Sequence, residues 1–132
     1  MESRPVDARL KELRHALLRL HKALLDWERS AYERVHGRQS GGTLLDVLLK
    51  DPQFAWLRPI SQLIVRIDEM LDDDIAAEQG DWEAVLAHAR DLSSANETGN
   101  SYEQRYYTAL QEYPDAVFAH RDLAKLIKAA IS

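Results

Sequence analysis

Cysteine is absent from the 132 residues, which removes disulfides, thiolate metal ligands and a cysteine nucleophile. Glycine and proline are scarce, at five and four, so the chain lacks the composition of a disordered or fibrous protein. No apolar run approaches the roughly 18–20 residues that span a bilayer, and the opening MESRPVDARLKEL has no continuous apolar core of a secretory signal. Basic residues are outnumbered, 17 against 22 acidic, for a net charge of −5. That balance disfavours nonspecific attraction to nucleic acid or anionic lipid. Arg4, Arg9, Lys11, Arg14, Arg19 and Lys22 cluster early, but on a helix most of them scatter around the outer faces. The expectation is one cytoplasmic domain over residues 1–132, long enough to bury a core without staples.

Sequence signatures of common chemistries are missing too. There is no phosphate-binding Gly-rich loop, no nucleophile elbow and no dinucleotide fingerprint. Glu12-x-x-His15 and Glu33-x-x-His36 each match half of a di-iron motif, which requires such pairs on two different helices. Both lie on one helix, 21 residues and hence ~30 Å apart, so they cannot share a metal. The acidic run 72–74 lacks the oxygen spacing and central glycine of a calcium loop.

What is present is helical periodicity. Leu10, Leu13, Leu17, Leu20, Leu24, Trp27 and Ala31 recur at spacings of three and four over residues 7–36, and Gly37 suits the left-handed residue that closes a helix. GRQSGG, residues 37–42, reads as a mobile connection to a short helix TLLDVLLK capped by Thr43. Asp51-Pro52 starts a further turn, and Pro59 kinks or restarts the chain. Ile60, Leu63, Ile64, Ile67, Met70, Leu71 and Ile75 then share one face. Gly80 breaks this helix and Asp81 caps a third, with Trp82, Val85, Leu86, Ala89 and Leu92 inward. SSANETGN, residues 93–100, is a loop. Ser101 with Gln104 forms a capping box for a last stretch that Tyr113-Pro114 interrupts. No segment alternates as a strand does. The reading is all-α: an antiparallel four-helix bundle with kinked second and fourth helices and a short extra helix.

Within the first helix, Arg14, His21 and Glu28 stand seven apart on the sector of the leucines. Buried ionisable groups cost several kcal/mol unless paired, so this line needs partners such as Asp68 on the facing helix. It forms either a hydrogen-bonded layer that fixes register or a small-ligand or metal site. Leu18, Leu25 and Tyr32 widen the apolar stripe beyond what one neighbour needs, which marks an interaction surface. The aromatics Tyr102, Tyr106, Tyr113, Trp27, Trp56 and Trp82 read as core, with their polar tips reaching partners at its edge.

Two stretches carry resemblances. AHARDLSSAN, residues 87–96, resembles the phosphoaccepting helix of histidine phosphotransfer domains. That would make His88 the phosphoacceptor, but Asp91 stands where the family has lysine and would repel the phosphoryl group. FAWLRPISQLIVRIDEML at 54–71 together with HKALLDWERSAYE at 21–33 resembles small bacterial proteins of an uncharacterised helical family. The resemblance covers most of the chain and implies a bacterial origin with no activity or cofactor. The expected function is noncatalytic, through a protein partner or a homodimer, with no cofactor, nucleic acid or membrane. The alternative is a small-ligand or metal-binding bundle using Arg14, His21, Glu28 and Asp68.

Overall fold

A computed structural model describes residues 5–73 and 78–131. Among them there is no strand. Six α-helices, α1 (Pro5–His36), α2 (Gly41–Lys50), α3 (Arg58–Asp72), α4 (Gln79–Leu92), α5 (Ser101–Glu112) and α6 (Pro114–Ile131), pack together with one 3-10 helix, Pro52–Leu57. No described helix is long and apolar enough to cross a membrane.

The long α1 is the spine. Its leucines at 10, 13, 17, 20 and 24 are fully buried and Trp27 nearly so, against α6 on one side and α3 on the other, with α4 also in contact. α3 answers with Ile60, Leu63, Ile64 and Ile67, α4 with Trp82, Val85, Leu86 and Ala89, and α6 with Ala116, Ala119, Leu123 and Ile127. Alanines on α6 let it approach closely while branched residues fill the opposite side. Ile75 and Asp74 lie outside the described residues.

The helix ends follow the physics of orphaned backbone groups, though not always at the expected residue. Gly37 takes φ +81° and its N–H bonds Glu33 O at 2.8 Å, closing α1 as expected. α2 begins earlier than expected. Ser40, not Thr43, is its N-cap, with Oγ accepting from Thr43 N–H at 3.3 Å, so Gly41 and Gly42 form the first turn rather than a linker. Asp51 Oδ1 accepts from Gln53 N–H at 2.9 Å, and Pro52 opens the 3-10 helix. That helix runs straight into α3, where Pro59 occupies the first turn and its missing N–H costs nothing.

Gly80 does not break a helix: α4 starts at Gln79, and Asp81 caps from inside the first turn, accepting the Glu78 N–H at 2.9 Å. The cap of α5 is shifted by one residue from the expected box. Asn100 Oδ1 accepts from Glu103 N–H at 2.8 Å while Glu103 Oε1 accepts from Asn100 N–H at 3.1 Å. Asparagine is as good a cap as serine, and glutamate returns the bond better than Gln104 would. Tyr113, in extended conformation, ends α5, and Pro114 begins α6. The interrupted last stretch is thus two helices.

Candidate functional site

Glu28 is the buried charged residue of the described chain, with no accessible surface. It sits one turn beyond Leu24, where α1 passes the 3-10 helix and α5. Its Oε2 accepts from Trp56 Nε1 at 2.6 Å and from Arg105 Nε at 3.0 Å. Its Oε1 accepts from Arg105 Nη2 and, more loosely, from Gln53 Nε2 at 3.4 Å. The Gln53 amide also reaches Glu28 O at 3.2 Å. A carboxylate this deep is tolerable because a bidentate guanidinium and an indole N–H replace its water.

Aromatic rings wall the cluster. The Arg105 guanidinium lies over the Trp27 ring, 4.8 Å from its centroid. Trp27 meets Trp56 edge-on at 6.5 Å, Trp56 meets Tyr102 at 5.4 Å, Tyr102 stacks on Tyr106 at 6.1 Å, and Tyr106 meets His120 at 5.5 Å. The polar tips are engaged: Tyr102 donates to Leu92 O at 2.5 Å, and Tyr106 Oη lies 2.7 Å from His120 Nδ1. Burial pushes both phenols well above their usual range, so they remain protonated donors. Chemically the cluster binds elements together. Its carboxylate is saturated, and its phenols are too weakly acidic to serve as bases.

The residues singled out by sequence do not converge. Arg14 pairs with Asp68 of α3, both side chains about two-fifths exposed. Glu28 lies fourteen residues further along α1, ~21 Å away, in its own cluster. His21, between them, is half-buried, and burial lowers its pKa. Among the described residues no group of three metal-ligating side chains exists. Of the widened stripe, Leu18 is 39% exposed, whereas Leu25 packs on the core and Tyr32 lies between His36 and Phe54, at 4.3 and 5.8 Å. Phe54 of the 3-10 helix therefore covers the Tyr32 end of that stripe. His88 is half-buried on α4.

Sequence reasoning missed Gln53, Trp56 and Arg105 as the partners of Glu28, which stand 25, 28 and 77 residues away. The available signal was a lone arginine, Arg105, among the tyrosines of α5. It also missed the outer face of α2, where Leu45 and Leu49 are 59% and 64% exposed and no residue is buried. The i, i+4 spacing of those leucines is legible in the short apolar stretch TLLDVLLK. Comparison with protein-family models, curated proteins and solved structures gives no match for this chain.

Proposed function

We propose that the chain is a noncatalytic helical protein that self-associates by pairing α2 with the α2 of a second copy. The observation that carries this reading is the unburied apolar face of α2. Half of its ten residues are leucine or valine. Leu44, Val47 and Leu48 turn toward the 3-10 helix, while Leu45 and Leu49 face solvent. A helix of this composition loses apolar hydration when that face is covered.

The charges beside the face favour a copy of itself over another partner. Asp46 and Lys50 share one flank of α2 and bridge each other at 2.8 Å. When two identical helices pair antiparallel about a two-fold axis, the same flank of each meets and runs in reverse. Asp46 of one copy then faces Lys50 of the other, twice. In the same reading α1, the 3-10 helix with α3, α4, and the α5 and α6 pair are the four members of an antiparallel bundle, the second and fourth bent where Pro59 and Pro114 restart the chain, with α2 as the extra helix outside it.

A contact ten residues long spans ~15 Å and falls well short of the ~1,600 Å² of a standard interface, so the dimer is weak and depends on concentration. Sedimentation equilibrium over a wide concentration range tests this. Wild type associates at the upper end, Leu49→Glu stays monomeric, Asp46→Lys weakens association, and Asp46→Lys combined with Lys50→Asp restores it. A wild-type monomer at every concentration, or a charge exchange that restores nothing, overturns the proposal.

A further inference from the structure

We propose that the groove between the C-terminal end of α4 and the outer side of α6 binds a small carboxylate that carries an apolar tail. The groove encloses about 460 Å³ and is lined by Arg90, Ser93, Ser94 and His120 on its polar side, with Ala124, Ile127, Lys128 and Ile131 along α6. Four other concavities on the protein each contain at least one carboxylate: Glu12, the pair Glu83 and Asp91, the pair Asp26 and Asp115, or the pair Asp91 and Glu103. This groove contains none, in a chain of net charge −5.

Its His120, Arg90 and Lys128 side chains present donors. The Tyr106 side chain is fully buried, and the acceptor within reach of its hydroxyl hydrogen is His120 Nδ1, 2.7 Å away. His120 Nδ1 therefore carries a lone pair, and in the neutral ring the proton sits on Nε2. Burial lowers the His120 pKa, which keeps the ring neutral at physiological pH and leaves that N–H as a fixed donor. Arg90 and Lys128 add two cations that no carboxylate of the described residues engages.

The end of α4 would repel an anion through its free carbonyls, but this end is covered. Ser93 and Ser94 both donate their hydroxyls to Arg90 O, at 3.1 and 3.2 Å. Ile127, Ala124 and the half-exposed Ile131 supply the apolar floor, which a bare inorganic anion would not use. The combination fits a head that accepts hydrogen bonds and a short hydrocarbon tail.

Octanoate, octanol and acetate titrated separately into the ¹⁵N-labelled full chain at pH 7.5 test this, read by backbone amide shifts and the His120 ring nitrogens. Octanoate should saturate, shifting Nε2 and the amides of residues 90–94 and 124–131. Octanol and acetate should each bind at least roughly tenfold more weakly. The double variant Arg90→Gln with Lys128→Gln, checked by thermal melting to be folded, should lose octanoate affinity by a similar factor. Octanol binding as well as octanoate, an unaffected double variant, or octanoate shifts that fall outside the groove would each overturn the proposal.

Discussion

At the scale of residues, the pair formed by Glu28 and Arg105 is unequal, and the inequality decides what each substitution does. Glu28 is fully buried, whereas the Arg105 side chain is 41% exposed. Removing the arginine strands a carboxylate with an indole and one long amide contact for company. Removing the carboxylate lets the guanidinium turn to water. Arg105→Ala should therefore cost about 3–5 kcal/mol, the usual penalty for an uncompensated buried charge. Glu28→Gln keeps an acceptor for Trp56 Nε1 and should cost nearer 1–2 kcal/mol. Urea unfolding of the two variants measures the difference, and equal losses would mean that the buried charge is not what the arginine sustains.

At the scale of elements, α1 and α2 present opposite cases. The buried face of α1 was legible because its period is local: Leu10, Leu13, Leu17, Leu20 and Leu24 declare one side of a helix without reference to anything distant. The same local rule misplaced α2's cap and the start of α5, since Ser40 and Thr43, three residues apart, or the neighbours Asn100 and Ser101, are competent caps and only the folded backbone selects between them. Gly99 helps select Asn100: a Cβ there would lie 2.6 Å from Glu103 Oε1, the atom that completes the box. The clasp of Glu28 by Arg105 was illegible for a different reason, as no periodicity links residues 77 apart. For α2, the absence of any buried residue implies that it opens without the rest of the fold. Its tethers are the Ser40 cap, the Arg58 Nη2 bond to Leu49 O at 3.1 Å and contacts with the 3-10 helix. Hydrogen exchange of the dilute monomer should find α2 amides far less protected than those of α1. Ser40→Ala should lower that protection further, by about 1 kcal/mol, while leaving the urea midpoint of the core unchanged. Protection in α2 equal to that in α1 would show that the two open as one unit.

At the scale of the whole molecule, two half-buried histidines resist protonation, and acid is the lever that exposes this. His21 on α1 and His120 on α6 are both half-buried, and desolvation holds each below its ordinary value of 6.5. In the unfolded chain both return to about 6.5. As pH falls through that value, the unfolded state takes up protons that the folded state resists, so unfolding is favoured. The stability contributed by keeping both rings neutral is complete above about pH 6.5 and declines below it, toward the lowered native values. Carboxylates titrate nearer pH 4, which leaves a window between about pH 6.5 and 5 where the histidines dominate. Unfolding free energy measured across that window should fall with acid in the wild type. His21→Leu substitutes an apolar side chain for a desolvated ring, and His120→Gln retains an acceptor for the Tyr106 hydroxyl. The combined variant should be flatter over the same window while still losing stability below pH 5. A wild type whose stability is level from pH 7 to 5, or a combined variant that follows the wild-type slope, would place the acid sensitivity elsewhere, and the two rings would then have to reach solvent more freely than their burial implies.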